Sequence, residues 1–159
     1  VSAPAFPMSI IVNTFPKKAI PTVRPKPDDT LNYGKYLVTA AGCIDCHTPA
    51  KHGQIIEELA FSGGREFQMP DGSMLLSSNI TPDPETGIGK WNKDAFISRF
   101  KAYDLSTYTP AQLQKGDMQS IMPWTMYAGM DTTDLAAVYK YIHSLPPMKN
   151  KIVKTKRPG

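Results

Sequence analysis

Residues 43 to 47 of the chain are Cys43-Ile44-Asp45-Cys46-His47, and this pentapeptide decides the fold. It contains both cysteines of the 159-residue chain, separated by three positions, with a histidine directly after the second. On a helical turn, this spacing lets both thiols form thioethers with the vinyl groups of one porphyrin. The imidazole of His47 can then bind the iron from below. The motif therefore predicts one covalently attached haem c, with Cys43, Cys46 and His47 as its binding residues.

Three other uses of paired cysteines compete with this interpretation. A structural zinc ion needs a tetrahedron of ligands, and beyond the motif the chain offers only His52 and His143. A thioredoxin-like dithiol needs a preceding strand and a βαβ unit, whereas a helix is predicted before Cys43. A structural disulfide is the third alternative. We expect haem rather than any of these.

The segments around the motif are predicted to be mostly helical. Apolar residues at helical spacing indicate helices over residues 31–41, 93–102, 111–115 and 133–144. Their predicted starting residues are Thr30, Asn92, Thr109 with Pro110, and either Asp131 or Thr132. Gly42 ends the first helix, and the dipeptide Asp71-Gly72 favours a small hairpin or an irregular loop. The predicted fold class is therefore all-α, with three to five helices around one haem, long loops and room for a small β-hairpin.

The charges divide the chain into three parts. Residues 1–27 carry four basic side chains and residues 149–159 carry five, in both cases without an acid. Residues 28–148 carry nine basic and fourteen acidic side chains, a balance of −5, although the whole chain is at +4. We therefore predict a monohaem domain over 28–148, between a proline-rich basic tail or tether and a solvated basic C-terminal tail. No basic stripe lies inside the domain, so nucleic-acid binding is not expected.

The iron of such a haem needs a sixth ligand, and methionines supply the main candidates. Four of them repeat at every fourth position, which ordinarily indicates core packing on a helix: Met118, Met122, Met126 and Met130. Pro123 breaks such a helix and favours an extended conformation for Met122. We therefore expect Met122 to be the axial ligand opposite His47, with Met126 and Met130 as alternatives that otherwise line the pocket.

The remaining histidines are expected to have other roles. His52 is only five residues from His47 and would have to cross to the opposite haem face, so we expect it on the surface. His143 falls in the last predicted helix, where a hydrogen-bonded structural histidine is more common than a ligand.

Linked motifs extend the pattern well beyond the pentapeptide. They are Ala41-Gly42-Cys43, Cys46-His47-Thr48, Phe61-Ser62-Gly63-Gly64-Arg65, Asn79-Ile80-Thr81-Pro82-Asp83, Thr86-Gly87-Ile88-Gly89 with Trp91, and Met122-Pro123-Trp124. With them the chain resembles class I cytochromes c, and more narrowly the cytochrome c subunits of membrane-bound alcohol and gluconate dehydrogenases. The resemblance covers about residues 31–147.

The resemblance implies roles for particular residues. Met122 matches the axial methionine, and Gly34 matches the small residue at which the first and last helices cross. Arg65, Asn79 and Trp91 would border the haem and hydrogen-bond its propionates, with ordinary loop bracing as the alternative for each. Trp124 stands where a tyrosine or phenylalanine is more common. Those subunits usually carry three haem domains in tandem, whereas this chain has one motif, so a dehydrogenase partner is not implied.

The function expected from these features is one-electron transfer in a bacterial respiratory chain, as a carrier or as a subunit of a dehydrogenase or oxidase complex. No catalytic residue is required, and redox partner proteins are implied. The alternative is a haem-based sensor of small ligands or a peroxidase-like enzyme with a labile sixth ligand. Thioether attachment takes place outside the cytoplasm, so we expect a periplasmic or extracytoplasmic location. The first residues do not have the pattern of a cleavable leader, so we expect that a leader was removed or that a membrane anchor lies outside this sequence. The proline-rich start could tether the domain to such an anchor or fold back over the domain.

Overall fold

A computed structural model of the chain describes residues 6–11, 14, 23–112, 120–153 and 155–156, the last two by their backbone alone. The described α-helices are α1 (Met8–Ile11), α2 (Thr30–Ala40), α3 (Cys43–His47), α4 (Lys93–Lys101), α5 (Trp124–Ala128) and α6 (Thr132–His143). The described strands are β1 (Ala50–Lys51), β2 (Gln54–Ile55), β3 (Glu66–Gln68), β4 (Met74–Leu76) and β5 (Thr155–Lys156). A 3₁₀ turn covers Glu57–Leu59. The fold is therefore mainly helical, with small antiparallel sheets inserted in the loops.

The contact between α2 and α6 forms the frame of the domain. A Cβ atom on Gly34 would lie 2.1 Å from the carbonyl oxygen of Ala137, so only glycine allows the two helices to approach this closely. Val38 and Leu135 are each almost fully buried, at 2% and 1% exposure. The expectation that Gly34 lies at the helix crossing is confirmed. Burial of these apolar faces, rather than helix propensity, is what holds two short helices in place.

Helix ends follow the sequence signals with one exception. Asn92 caps α4, since its side-chain oxygen accepts a hydrogen bond from the amide of Ala95 at 2.8 Å. For α2 the predicted cap was wrong: Asp29 is the N-cap and contacts both the backbone and the side chain of Asn32. The hydroxyl of Thr30 instead accepts a hydrogen bond from the ammonium of Lys140 on α6. A carboxylate is the better partner for a helix N-terminus, so it displaces the hydroxyl.

Two predicted elements have different outcomes. The hairpin at Asp71-Gly72 is present, with β3 and β4 paired antiparallel in the register Glu66 to Leu76. Of the helix predicted over 111–115, residues 111 and 112 are not helical. Residues 113–119, which include Met118, lie outside the described part of the chain.

The core connects α2, α4 and α6 to the long loops. Its buried members are Val38, Phe61, Ile88, Phe96, Val138 and Ile142. Cys43, Ile44 and Met130 are partly buried and pack against this cluster. Phe61 and Ile88 belong to loops rather than helices, so the irregular segments are part of the core. The pentapeptide lies directly on that core.

The N-terminal segment contains more structure than the sequence suggested. One helical turn, α1, follows Pro7 inside the segment that was predicted to be a tail or tether. A proline before the first turn costs no hydrogen bond, which explains this short helix. Further along, the guanidinium of Arg24 lies 5.1 Å from the centre of the Tyr33 ring and donates a hydrogen bond to its hydroxyl. That hydroxyl in turn donates to Asp134 at 2.9 Å.

The C-terminal segment lies against the domain over its described length. Asn150 donates hydrogen bonds to Thr86 and to the carbonyl of Ser62, and β5 pairs with β4. The expectation that this segment is a solvated run was wrong here, because its asparagine and backbone amides, not its lysines, determine where it lies. None of the described helices is long and apolar enough to cross a membrane.

Candidate haem site

The Cys43–His47 turn is presented by a sharp change of backbone direction after α2. Gly42 adopts the left-handed conformation, with φ of 63°, and ends α2 as predicted. The amide of Asp45 donates to the carbonyl of Gly42 at 3.1 Å, which winds the next residues into α3. Residues three apart on a helix lie on one face, so the Cys43 and Cys46 side chains project on the same side.

The two thiols are free and lie in different surroundings. Cys43 is half-buried, Cys46 is exposed, and neither forms a disulfide. Burial raises the pKa of the Cys43 thiol to about 11, and the nearby charge of Cys46 adds to the effect. At neutral pH Cys43 is therefore a protonated thiol. This is not the activated thiolate of a catalytic dithiol.

The imidazole of His47 is oriented by a loop from elsewhere in the chain. Its Nδ1 lies 2.8 Å from the carbonyl oxygen of Ser78. A carbonyl can only accept, so the proton is on Nδ1 and the lone pair of the neutral ring is on Nε2. Burial lowers the pKa of His47, although its hydrogen bond with Ser78 opposes that effect. The ring is thus held neutral with Nε2 available, as a metal-binding histidine requires.

The segment that carries Met122 is connected to the cysteine turn by Tyr127. Met122 is half-buried and lies outside any helix, and α5 begins immediately after Pro123. The hydroxyl of Tyr127 donates to the carbonyl of Ala41 at 2.9 Å, two residues before Cys43. Burial, followed by the charges of Cys43 and Cys46, raises the pKa of Tyr127. The methionine segment and the cysteine turn are therefore neighbours, although about 80 residues separate them in sequence.

Comparison with known proteins identifies this arrangement. The family model for cytochrome c matches residues 31–146. The chain belongs to the cytochrome c family. It is 34% identical over 119 residues to the cytochrome c subunit of a quinone alcohol dehydrogenase from Gluconobacter oxydans, covering 72% of this chain and 21% of that protein.

Two further relatives extend the comparison. The chain is 34% identical over 125 residues to the gluconate 2-dehydrogenase cytochrome c subunit of Pantoea cypripedii, covering 76% of this chain and 24% of the relative. It is 27% identical over 113 residues to the fructose dehydrogenase cytochrome subunit of Gluconobacter japonicus, covering 71% of this chain and 21% of the relative. The chain therefore spans no more than about a quarter of the length of these relatives.

Membership of the cytochrome c family implies a covalently bound haem c, and the residues present fit that group. Cys43 and Cys46 offer two unpaired sulfurs on one face of a helical turn. His47 has its proton on the nitrogen that faces Ser78, which leaves the other nitrogen for iron. Met122, on a neighbouring segment, offers a thioether sulfur. These are the donor atoms of His/Met ligation in cytochromes c.

The other methionines and histidines differ from Met122 in their environments. Met126, on α5, is 77% exposed, whereas Met130 packs against the core. His52 lies in the turn between β1 and β2 and is exposed, as expected. His143 does not have the hydrogen bond that was predicted: its Nε2 is buried without a partner among the described residues. Its ring instead lies 4.0 Å from that of Tyr139, and burial lowers its pKa.

Asn79 braces the loops of the cytochrome domain. Its amide nitrogen donates to the carbonyl of Met148 at 2.7 Å and to Thr86 at 3.0 Å. Its amide oxygen accepts from both the backbone and the hydroxyl of Thr81. The side chain is buried, with 3% exposure. These contacts correspond to the bracing alternative, and a contact with a haem propionate stays a prediction.

Arg65 and Trp91 contribute mainly backbone contacts in this structure. The amide of Arg65 donates to the hydroxyl of Ser77 at 3.0 Å, and its side chain is half-buried. The carbonyl of Trp91 accepts a hydrogen bond from the hydroxyl of Tyr139 on α6, and its indole is 37% exposed. Their roles beside the propionates likewise stay predictions.

Sequence reasoning missed two residues of the site. Ser78 orients His47 through its carbonyl, and any residue type could supply that atom, so the sequence carried no signal for it. Tyr127 was also missed, because no helix was predicted over Trp124–Ala128 and a single tyrosine ordinarily indicates packing. Its spacing of five residues from Met122 was the only available hint.

Proposed function

We propose that this domain transfers single electrons through one haem c attached to Cys43 and Cys46, with His47 and Met122 as the axial ligands. When bound, the haem iron takes up and releases one electron between its ferric and ferrous states. The observation that carries the proposal is the His47 geometry: its Nδ1 lies 2.8 Å from the Ser78 carbonyl oxygen, beside two unpaired cysteines. With His47 and Met122 as ligands, no substrate would have to reach the metal.

Rigid loops around His47 support electron transfer rather than ligand exchange. The buried polar residues Asn79, Thr81 and Asp83 hold their own segment together, through hydrogen bonds from Thr81 to Asn79 and from Thr86 to Asp83. A fully satisfied buried network resists movement, because each group loses a partner if it shifts. Small movement between oxidation states keeps the reorganisation energy low, which favours fast electron transfer.

The relatives also support a proposal for partners and location. The relatives named as cytochrome c subunits of alcohol and gluconate dehydrogenases support a role for this domain in accepting electrons from a dehydrogenase. Delivery to a later component of a bacterial respiratory chain would follow. Because haem thioethers are formed outside the cytoplasm, we place the domain in the periplasm. There it would work as a carrier or within a membrane-bound complex.

The optical spectrum of the oxidised protein tests this ligation directly. We expect a far-red charge-transfer band from sulfur to iron, and no binding of carbon monoxide after reduction. Met122→Ala should abolish the band completely and lower the reduction potential, because the thioether stabilises the ferrous state. A five-coordinate, high-spin spectrum of the unaltered protein would support the sensor or peroxidase-like alternative instead.

Met126→Ala is the matched control. Met126 is the next methionine in the described chain and lies on α5, but it is 77% exposed. The substitution should leave the band and the potential unchanged. If the band survives in Met122→Ala and disappears in Met126→Ala, the assignment of the axial ligand is wrong.

A further inference from the structure

The described residues after the family match form a separate structural feature. The match to the cytochrome c family ends at residue 146, and residues 148–153 then run back across the domain. We call residues 148–153 the C-terminal strap. The carbonyl of Met148 accepts from Asn79 at 2.7 Å, and its amide donates to the hydroxyl of Thr81 at 3.1 Å. The backbone of the strap is thus tied to the loop that follows Ser78.

A second set of contacts holds the other end of the strap. The amide of Asn150 donates to the hydroxyl of Thr86 at 2.9 Å, and its side-chain nitrogen donates to the carbonyl of Ser62 at 3.1 Å. Beyond it, Ile152 packs against Gly64, where an added Cβ would lie 3.5 Å from its Cδ1 atom. The strap therefore joins two loops, residues 61–65 and 78–86, which are distant in sequence.

Both loops contact His47 directly. The amide of Gly63 donates to the carbonyl of His47 at 2.7 Å, and the carbonyl of Ser78 accepts from its Nδ1. The loops also touch each other, since a Cβ on Gly63 would lie 2.4 Å from the amide nitrogen of Asn79. The strap therefore binds Ser62, the residue before Gly63, and Asn79, the residue after Ser78. Each of these bonds lies one residue away from a residue that contacts His47.

From these contacts we infer that the C-terminal strap positions the iron ligand, by fixing the Ser78 carbonyl against Nδ1 of His47. The inference rests on the proposed function, since it assigns the positioning of the ligand that the proposal uses. Met148 and Asn150 are positioning residues rather than binding residues, because they act through the two loops. The hydrogen bond at Nδ1 of a metal-bound histidine controls its basicity and orientation. The strap thereby adjusts the reduction potential of the haem.

The effect of the strap on His47 can be measured as the rate at which the Nδ1 proton of His47 exchanges with solvent. NMR spectra of the reduced, diamagnetic protein give this rate. Asn150→Ala removes one hydrogen bond between the strap and the Ser62 loop. Loss of one such bond should make this exchange about fivefold to tenfold faster. The reduction potential should rise as well, because a less tightly held Nδ1 proton makes the imidazole a weaker donor to ferric iron.

Lys149→Ala is the matched control on the strap itself. Lys149 pairs with Glu85 at 2.5 Å, but both side chains are more than half exposed, at 69% and 63%. The exchange rate should stay within about twofold of the unaltered protein, since exposed ion pairs contribute little. A chain that ends at Pro147 removes the whole strap and should exchange faster than Asn150→Ala. If that shortened chain takes up no haem, the exchange rates of Asn150→Ala and Lys149→Ala are enough to decide whether the inference holds.

The inference would be overturned if the His47 Nδ1 proton exchanged in Asn150→Ala at a rate within about twofold of its rate in Lys149→Ala. That result leaves the proposed function intact, provided that the unaltered protein shows the haem and its far-red band. An unaltered protein without haem contradicts the proposed function first, before any strap variant is compared. The two failures are therefore distinguishable in the same set of samples.

Discussion

The two sides of the proposed haem site are held by different interactions. On the His47 side, loops 61–65 and 78–86 are fixed by hydrogen bonds of Asn79, Thr81 and Asn150. On the Met122 side, ring packing contributes as well: Trp124 stacks on Tyr103 at 5.1 Å. The hydrogen bonds there come from Tyr127 to the carbonyl of Ala41 and from Lys101 to the carbonyls of Ala128 and Met130.

Directional hydrogen bonds determine one geometry, whereas ring contacts tolerate small shifts. We therefore expect the histidine side to be rigid and costly to alter. The methionine side should be the more adaptable of the two. The following substitutions test this difference, beginning with the largest expected effect.

Gly63→Ala should be the most damaging single change on the histidine side. The new methyl group would lie 2.4 Å from the amide nitrogen of Asn79, at a backbone φ of 77°. Overpacking and the left-handed conformation together should lower the free energy of unfolding by about 4 kcal/mol. Denaturation with urea measures this loss.

Gly53→Ala is the matched control for backbone strain. Gly53 has a similar φ of 81°, but a Cβ there meets no atom within 4 Å. Its cost should be about 1 kcal/mol, from the left-handed conformation alone. Equal losses in the two variants would mean that the close approach of the loops contributes nothing.

Asn79→Ala should have the next largest effect. It removes one donor to the carbonyl of Met148 and the acceptor of both the amide and the hydroxyl of the buried Thr81. Unsatisfied buried groups should reduce the free energy of unfolding by about 2 kcal/mol. Asn32→Ala, which removes an exposed amide bonded to Asp29, should change it by less than about 0.5 kcal/mol. If the two substitutions cost the same, the histidine side does not depend on this network.

Acid should weaken the histidine side through Asp83. The hydroxyl and the amide of Thr86 both donate to its carboxylate and hold the pKa of Asp83 below its usual range. A lowered folded pKa stabilises the protein above the unfolded value of about 3.9, and this contribution is lost as the pH falls through the folded value. In urea titrations between about pH 6 and pH 2, the unaltered protein should therefore lose stability more steeply than Asp83→Asn. Parallel curves would contradict this role of Asp83.

Trp124→Phe should have the smallest effect, on the methionine side. It keeps an aromatic ring beside Tyr103 but removes the exposed hydrogen bond from Nε1 to Ser120, 3.1 Å long. The cost should be less than about 1 kcal/mol, and the far-red band should persist. If Trp124→Phe lowered the free energy of unfolding by more than Asn79→Ala does, the methionine side would be the more rigid of the two.

The sequence predicted the helical frame because its signals are local. Asn92 and Gly42 act within a few residues of their positions, and both the cap and the helix end are confirmed. The binding motif is local as well, since Cys43, Cys46 and His47 lie on one turn. Gly34 could be assigned to the helix crossing because the resemblance supplied a non-local contact.

The sequence could not predict the contacts that join distant loops through backbone atoms. The carbonyls of Ser78, Ser62 and Met148 accept the hydrogen bonds that organise the histidine side, and a carbonyl has no residue-specific signal. Residues 149–159 were interpreted as a solvated tail because they carry five basic side chains and no acid. In the structure, Asn150 and the backbone determine where the strap lies.

The intact mass of the denatured, purified chain tests the central claim most directly, because it shows whether haem is bonded to the protein itself. We predict the mass of the polypeptide plus one haem, with no colour passing into the organic layer on extraction with acid acetone. A chain with Cys46→Ala should retain at most a single thioether. The mass of the bare polypeptide, or colour that passes into the organic layer, would contradict the account.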